Sequence, residues 1–375
     1  MFISDYYQVI LTITILIVTF ILAFLIGCRE KKDFLIVILL TIWHTLFCIV
    51  YYIFTFYNAA DSIAYYKQAV LGQYEFYPGS RFVVFLSSFF YQAFDTNYLN
   101  IFLIFNIFGL IGLLFFYKTL KPLFLRLGRP WFLILFIPSM SFWSSSLGKD
   151  SIVFLGITLF LYSVINNKLK TLFPISFFLI FMVRPHIALT ILISYILYIV
   201  IVSKINLFIK SFIFILFIII FYLSLGFIKQ YVGLDDASLE GLGDYIDHRQ
   251  TLNQGGGSSF DLTSMSYPMQ MFTYIFRPLP FDAHSALALF TSIENTILLL
   301  LFSYTLYKTR FREIIEGRNF WLFTYIFLSC TVLSLTTANL GIATRQKWMF
   351  MPILIYLMVY GYYKFKYSKI KDVHI

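Results

Sequence analysis

Residues 8–27 of this chain read QVILTITILIVTFILAFLIG and contain no charged side chain. A helix of about 20 residues is about 30 Å long, which matches the thickness of the hydrocarbon core of a bilayer. Further apolar runs of roughly 15 to 25 residues follow along the chain, and short polar loops separate them. The pattern predicts an all-α integral membrane protein that crosses the bilayer many times.

The amino-acid composition supports the same class. Of the 375 residues, 60% are hydrophobic and 12% are charged, whereas soluble domains are about half apolar and a quarter charged. The formal net charge of +10 does not predict a nucleic-acid partner, because Lys and Arg collect in the loops between the apolar runs. The three cysteines follow no pairing pattern, so we expect no disulfide framework, no metal site and no cofactor.

The apolar runs predict a polytopic helical bundle of about 11 transmembrane helices, which forms a single membrane domain over residues 1–375. Basic residues concentrate in alternate loops, which places these loops in the cytoplasm, the N-terminus outside and the C-terminus inside. The predicted spans are 8–27, 34–57, 99–117, 131–147, 151–165, 171–183, 187–203, 206–226, 283–307, 319–337 and 348–363.

Two longer loops then lie on the external face, at residues 58–100 and 227–282. In the first, DSIAYYKQAV and SRFVVFLSSFFYQAF predict two short helices joined by a turn at FYPGS. The second of these helices is too short to span a bilayer, so we expect it to be re-entrant or to lie on the outer surface. The later loop contains NQGGGSSFD, which predicts a mobile segment, and ends in a short apolar stretch broken by Pro278 and Pro280.

Residues 181–194, FMVRPHIALTILIS, place a cation and an imidazole between two apolar runs. A helix from Lys170 to Arg184 rises about 20 Å, which is less than the roughly 30 Å of hydrocarbon core. With Lys170 at the inner surface, Arg184 therefore lies below the outer one. Pro185 suits the first turn of the next helix, because its missing N–H has no partner there.

Charged side chains recur at the external ends of other predicted spans. A charge at the membrane midplane costs about 2.5–3.5 kcal/mol on insertion scales, so several such groups are not expected to face lipid. We predict one water-filled, outward-open cavity lined by cations. A lipid-linked phosphate or pyrophosphate fits this cavity, and free anions and acyl donors are the alternative ligands. For any single residue, the alternative is a membrane-surface anchor or a local salt bridge, such as Lys149 with Asp150. The predicted binding residues are Lys149, Asp150, Arg184, Arg249, Arg277, His284, Glu294 and Arg345.

Further polar residues carry their own hypotheses. Asp61, in NAADSIAYY, is either a general base near the membrane surface or the N-cap of the first external helix. Glu294 lies inside its span, where we expect it to pair with a recessed arginine rather than to act in catalysis. His44, in TIWHTLF, is expected to lack polar company and to be a core histidine. His186 and His284 each lie beside a recessed arginine and are better candidates for chemistry.

The order of short motifs along the chain resembles a known family. The motifs are NAADSIAYY, PGS, SSSLGKDS, MVRPHIAL, FRPLPFDAHSALALFTSIENT and NLGIATRQKWMFMP. They resemble those of the EpsG-like or Wzy-type polymerases of bacterial surface-polysaccharide repeat units, which make O-antigen, capsule or exopolysaccharide. These proteins are similar to the GT-C class of glycosyltransferases, which use lipid-linked sugars. The resemblance covers most of the chain, although each motif is short.

The resemblance implies a GT-C-like bundle in the inner (plasma) membrane of a bacterium. It implies an enzyme that transfers a growing glycan from undecaprenyl pyrophosphate to the next lipid-linked repeat unit on the external face. On that pattern Asp61 activates the acceptor hydroxyl, while Arg184, Arg277 and Arg345, with Lys149, stabilise the leaving pyrophosphate without a metal. Flippase and chain-length regulator proteins are the protein partners that the resemblance implies.

Two other function classes stay open. A flippase or exporter of lipid-linked oligosaccharide needs cations along a path through the membrane and a repeated half, whereas the cations here collect at one end. A ligase or acyltransferase acting on the same glycans is suited by His186 beside Arg184. The order of motifs favours the polymerase, for which the predicted catalytic residues are Asp61, His186 and Asp282.

Overall fold

The computed structural model describes residues 2–232, 265–283 and 286–372. Within these ranges the chain forms α-helices, 3-10 helices and turns but no β-strand, which confirms the all-α prediction there. The helices are α1 (Phe2–Gly27), α2 (Asp33–Tyr57), α3 (Asp61–Val70), α4 (Ser80–Phe94), α5 (Tyr98–Leu127), α6 (Pro138–Ser144), α7 (Lys149–Ile165), α8 (Leu169–Val183), α9 (Pro185–Ile201), α10 (Leu207–Val232), α11 (Tyr267–Phe276), α12 (Ala286–Lys308), α13 (Phe311–Ile314), α14 (Asn319–Thr336), α15 (Leu340–Gln346) and α16 (Met351–Asp372).

The described residues group into two compact units. Unit 1 comprises those of Met1–Leu189 and Met351–Ile375, and unit 2 comprises those of Thr190–Phe350. Helix α9 contains residues of both units. That the whole chain forms a single membrane domain stays a prediction.

Five helices in the described part of the chain are long and apolar enough to cross a bilayer. They are Tyr6–Gly27, Asp33–Tyr57, Tyr98–Leu127, Ala288–Lys308 and Asn319–Thr336. Helices α6 and α7 together would add a sixth span, although the chain bends by 115° between them. Shorter apolar helices follow, including α8 and α9. The chain is therefore a polytopic helical membrane protein, and the number of 11 spans stays a prediction.

The predicted span 131–147 is not a continuous helix. Residues Arg129–Phe136 form a 3-10 helix, and α6 begins only at Pro138. Proline lacks a backbone N–H and clashes with the preceding turn, so it starts a helix more readily than it continues one. The polar residues that follow, up to Gly148, form the sharp tip between α6 and α7.

Helix α7 is buried along almost its whole length and packs against α5 and α8. Glycines permit the close approach of these helices. A Cβ on Gly112 of α5 would lie 2.9 Å from the Cα of Leu155, and a Cβ on Gly156 of α7 would lie 2.5 Å from Cγ1 of Ile180. Small residues at such contacts let the backbones of membrane helices pack closely.

A buried carboxylate holds one end of unit 1 together. Asp33, the first residue of α2, is 2% exposed. Its Oδ1 accepts a hydrogen bond from the hydroxyl of Tyr117 (2.6 Å) and lies 2.6 Å from Nζ of Lys121. Its Oδ2 accepts from the backbone N–H groups of Arg29 (3.0 Å) and Glu30 (3.1 Å). These bonds offset the cost of burying the charge and join the α1–α2 turn to α5.

Basic residues from three predicted cytoplasmic segments lie at this end of unit 1. Nη2 of Arg29 donates to the hydroxyl of Tyr162 near the end of α7 (3.1 Å), and Lys118 donates to a carbonyl of α1 (2.7 Å). The hydroxyl of Tyr367 in α16 donates to the carbonyl of Arg126 at the end of α5 (2.7 Å). These segments therefore share one end of the unit, as the positive-inside assignment requires.

The opposite end of unit 1 carries the first external loop. Helices α3 and α4 have the bounds that the stretches DSIAYYKQAV and SRFVVFLSSFFYQAF predict. Near the start of α1, Nε2 of Gln8 donates to the carbonyl of Asp95 (2.6 Å), and its Oε1 accepts from the Asn100 side chain (2.8 Å). The turn between α4 and α5 is thus fixed beside the N-terminal part of α1, away from Asp33.

Unit 2 is built around α14. Nε1 of Trp321 donates to the carbonyl of Ile191 (3.2 Å), which joins α14 to α9. Helix α11 packs against α12, α14 and α15. Asn339 caps α15, and its Oδ1 accepts from the backbone N–H groups of Gly341 (2.9 Å) and Ile342 (3.2 Å).

Candidate functional site

The tip between α6 and α7 is held by a buried histidine. His44 of α2 is fully buried, and its Nδ1 lies 2.6 Å from Oδ1 of Asn106 in α5. Its Nε2 lies 3.0 Å from Oγ of Ser144, the last residue of α6. Because the amide oxygen only accepts, the proton is assigned to Nδ1, and the single hydroxyl proton of Ser144 then has two acceptors, Nε2 and the carbonyl of Met140 (2.7 Å). His44 is a core histidine, as predicted, but the expectation that it lacks polar company is wrong.

This trio has the order of groups that activates a serine nucleophile. His44 and Ser144 are 0% and 1% exposed, however, so no substrate reaches them in this conformation. A Cβ on Gly109 of α5 would lie 1.9 Å from the carbonyl oxygen of Ser144, so the backbones also approach closely here. We therefore interpret the trio as a structural clasp that fixes the end of α6.

Two predicted binding residues, Asp150 and Arg184, lie close together near the tip between α6 and α7. Nη2 of Arg184 lies 3.6 Å from Oδ1 of Asp150, with the side chains 13% and 8% exposed. Asp150 lies in the first turn of α7, and Arg184 is the C-cap of α8 with extended backbone, because Pro185 disfavours a helical residue before it. We call these two residues the recessed pair.

The guanidinium of the recessed pair is only partly satisfied by protein groups. The Nε of Arg184 is buried and has no hydrogen-bond partner among the described residues. A guanidinium carries five N–H donors, and one ion-pair contact at 3.6 Å uses few of them. The geometry suits an additional ligand rich in oxygen, such as a phosphate.

The first external loop contacts both hairpin tips that carry the recessed pair. The N–H of Gly79, just before α4, donates to the carbonyl of Met182 at the end of α8 (2.8 Å). The ring of Tyr65 in α3 lies 3.8 Å from the position that a Cβ on Gly148 would take. Helices α3 and α4 are therefore parts of the same end of unit 1 as the recessed pair.

Three other predicted site residues lie on these elements. Asp61 is exposed and is the first residue of α3, whereas the N-cap is Ala60, so the capping hypothesis for Asp61 is wrong by one position. At the first helical position its charge still complements the helix dipole. Lys149 begins α7 and His186 lies in the first turn of α9, and both are half-buried.

In unit 2, Arg277 forms a bidentate pair with Asp282. Nε donates to Oδ2 (2.9 Å) and Nη2 donates to Oδ1 (2.6 Å), and the N–H of Leu279 also donates to Oδ2 (2.8 Å). These hydrogen bonds to Asp282 raise the pKa of Arg277 above its ordinary value. An acceptor engaged in this way fixes the plane of the guanidinium, which favours an orienting role for Asp282 over the predicted catalytic one.

Behind this segment lies a buried polar cluster. Nζ of Lys347, a fully buried residue, donates to Oδ1 of Asn295 in α12, and Nδ2 of Asn295 donates to the carbonyl of Pro278 (3.0 Å). Glu294, which is 9% exposed, interacts electrostatically with Lys347. The predicted partner of Glu294 was a recessed arginine, and that pairing stays a prediction; the cation that the structure places near Glu294 is Lys347. Arg345 is half-buried in α15.

Two predicted binding residues, Arg249 and His284, lie outside the described residues, as does the sequence NQGGGSSFD. Within the described ranges no group of three or more His, Cys, Asp and Glu side chains could hold a metal ion. That all the predicted cations line one cavity stays a prediction.

Sequence reasoning missed the residues that support the charged groups. Asn295, Ser144 and Lys347 are not among the predicted site residues. The adjacent polar pair Glu294 and Asn295 within an apolar helix was an available signal, because buried polar side chains in a membrane need partners. His44 with Asn106 was another, since both lie in predicted spans.

The chain was compared with protein-family models, with curated proteins and with solved structures, and none of them matches it.

Proposed function

We propose that this chain is a membrane glycosyltransferase that polymerises oligosaccharide repeat units carried on undecaprenyl pyrophosphate. The product is a surface polysaccharide, and the reaction takes place at the external face of the bacterial inner membrane. The observation that carries the proposal is the recessed pair, in which Arg184 is largely buried and its Nε has no hydrogen-bond partner among the described residues. Such an arginine favours a phosphate group delivered by a lipid.

Further observations support the same side and the same chemistry. Both hairpin tips and the first external loop meet at one end of unit 1, and the basic segments meet at the other. A lipid pyrophosphate enters a membrane protein with its charged group near the surface and its chain in the bilayer. A recessed cation beneath short surface helices fits a ligand of that shape.

In the proposed reaction, a hydroxyl oxygen of the acceptor repeat unit attacks the anomeric carbon of the donor glycan. The bond from that carbon to the pyrophosphate oxygen breaks, and its electron pair leaves with the pyrophosphate. Asp61, exposed at the start of α3, takes the hydroxyl proton. Arg184 stabilises the charge that develops on the pyrophosphate, and Asp150 orients Arg184.

The other predicted residues have supporting roles in this proposal. Lys149 and His186 adjoin the recessed pair and bind the pyrophosphate or the sugar next to it. That Arg277, oriented by Asp282, and Arg345 of unit 2 bind a pyrophosphate stays a prediction, as it does for Arg249 and His284.

The first test is the chain-length profile of surface glycan, together with the lipid-linked pool, in cells that lack the protein. Loss of long chains while single repeat units still reach the outer face is the expected result. Repeat units trapped on the cytoplasmic face would instead indicate a flippase and overturn the proposal. Single units that reach the surface but lose an acyl or a terminal sugar group would indicate a transferase that decorates the glycan.

The deletion strain also tests the recessed pair. We expect Arg184→Ala to reduce long-chain glycan about tenfold or more at normal protein level, because a charge-assisted contact to the pyrophosphate is lost. Arg81→Ala is the matched control, since Arg81 pairs with Glu75 on the exposed surface of the same end (2.5 Å, both side chains 61% exposed). Full-length glycan with Arg184→Ala would contradict the role given to the recessed pair.

A further inference from the structure

A network of buried side chains in unit 2 ends on the segment that carries Arg277. Lys347 is fully buried and donates to Oδ1 of Asn295, whose Nδ2 donates to the carbonyl of Pro278 (3.0 Å). A lysine ammonium only donates and a proline carbonyl only accepts, so one orientation of the Asn295 amide satisfies both. We call this chain of hydrogen bonds, from Lys347 through Asn295 to the Pro278 carbonyl, the relay. Each of its bonds can be donated in one direction only.

Gln346, the residue before Lys347, contacts the segment on the N-terminal side of Arg277. Oε1 of Gln346 accepts from the hydroxyls of Thr337 (3.2 Å) and Tyr274 (3.4 Å). Tyr274 lies in the last turn of α11, just before Arg277. Gln346, the last residue of α15, thus contacts Tyr274 before Arg277, and Lys347 is linked through Asn295 to Pro278 after it.

Burying the ammonium of Lys347 is costly, and an apolar residue would pack there without that cost. Glu294 offsets part of the positive charge of Lys347. Asn295 accepts a hydrogen bond from Lys347 and donates one to the Pro278 carbonyl. Asp282 holds the guanidinium of Arg277 through Nε and Nη2, and Asn295 holds the backbone of Pro278, the residue that follows Arg277.

We propose that Lys347 is a positioning residue that acts through Asn295 and the Pro278 carbonyl to aim Arg277 at the pyrophosphate of the donor lipid. The inference rests on the proposed function for the role of Arg277, whereas the relay itself is a property of the fold. Neither Lys347 nor Asn295 touches the substrate in this scheme.

The sharpest variant is Asn295→Asp. It keeps the oxygen that accepts from Lys347 and replaces the donor to Pro278 with a second acceptor. Lys347→Met breaks the relay at its other end. Asn339→Asp is the matched control in the same unit, because the Asn339 oxygen accepts from two backbone N–H groups at a helix N-cap, where Asp serves equally well.

Hydrogen exchange on the purified full-length protein tests the relay without any assumption about activity. We expect the backbone amides between Arg277 and Ala283 to exchange faster in Asn295→Asp and in Lys347→Met, and as in the wild type in Asn339→Asp. Wild-type exchange of this segment in either relay variant would overturn the relay.

Kinetics with undecaprenyl-pyrophosphate-linked repeat units then test the positioning role. We expect both relay variants to raise the KM for the donor about tenfold, with kcat within about twofold, because the aim of a charge-assisted contact is lost. A fall in kcat at unchanged KM would show a merely structural role and overturn the proposal. Faster exchange in a protein whose wild type transfers no glycan would sustain the relay and reject the proposed function.

Discussion

Asp33 and Arg184 are two largely buried charged residues of unit 1 that differ in how many hydrogen-bond partners the protein gives them. Asp33 is 2% exposed, accepts three hydrogen bonds and pairs with Lys121, so its acceptor capacity is filled by the protein. Arg184 has one ion-pair contact at 3.6 Å and a buried Nε without a partner among the described residues. Buried polar groups are normally satisfied, so the first arrangement is typical of a structural site and the second of a binding site.

His44 tests the structural clasp at the residue scale. We expect His44→Phe to lower the free energy of unfolding by about 1–3 kcal/mol, because it leaves the buried Asn106 side chain and the Ser144 hydroxyl without their imidazole partner. Thermal unfolding of the protein in detergent measures the change.

Ile42→Phe is the matched control for the clasp, since Ile42 is 53% exposed on the same helix. We expect this control to unfold at the wild-type temperature. A His44→Phe protein as stable as the control would show that the clasp contributes nothing to the folded state.

At the scale of single elements, α5 organises unit 1 through its glycines. Gly109 faces the end of α6 and Gly112 faces α7, so two neighbouring elements approach the α5 backbone within one turn of each other. The close approach brings Asn106 of α5 to His44 and sets where the tip between α6 and α7 turns. The recessed pair therefore depends on small residues that carry no chemistry of their own.

Gly109→Ala tests this dependence. The new Cβ would lie 1.9 Å from the carbonyl oxygen of Ser144, a distance that only movement of the backbone relieves. We expect the yield of folded protein in a size-exclusion profile to fall about tenfold or more, since overpacking typically costs about 1–3 kcal/mol and this contact is more severe.

Gly148→Ala provides the comparison for Gly109→Ala. A Cβ there meets Tyr65 at 3.8 Å, which is ordinary van der Waals contact, and the backbone is extended. We expect its folded yield to match the wild type. Equal yields for both alanine variants would mean that α5 and α6 lie farther apart than the structure shows.

At the scale of the whole molecule, the decisive question is which side of the membrane each end of unit 1 faces. The positive-inside rule predicts that the end with Asp33 and Lys121 faces the cytoplasm, so the recessed pair faces outward. We expect a thiol reagent that does not cross membranes to label Glu75→Cys in intact cells. Lys31→Cys should react only after the membrane is permeabilised.

Both cysteine variants are made in a chain whose Cys28, Cys48 and Cys330 are replaced by serine, which removes background labelling. Glu75 and Lys31 are exposed, so burial does not limit the reaction at either position. Labelling of Lys31→Cys from outside would invert the topology and place the recessed pair on the cytoplasmic side, where a polymerase of exported repeat units does not work.

The bounds of single elements were largely predictable from the sequence. Helices α3 and α4 match the predicted stretches, because a short amphipathic run between a Gly or Pro turn and polar residues is a local signal. The span predicted over 131–147 failed for a local reason too. Hydropathy averages over Pro138, whereas the α-helix begins at this residue, after a 3-10 segment, because proline has no N–H to extend the hydrogen bonds of a preceding turn.

The sequence by itself determined that this chain is an all-α membrane protein, because that follows from the length of its apolar runs. The recessed position of Arg184 stays a prediction from the rise of a helix. Only the tertiary structure decided the partners. Asp150 pairs with Arg184, His44 reaches across 100 residues to Ser144, and Lys347 reaches across 52 residues to Asn295. Such contacts depend on how helices pack, and helix packing joins residues whose separation along the chain carries no periodic signal.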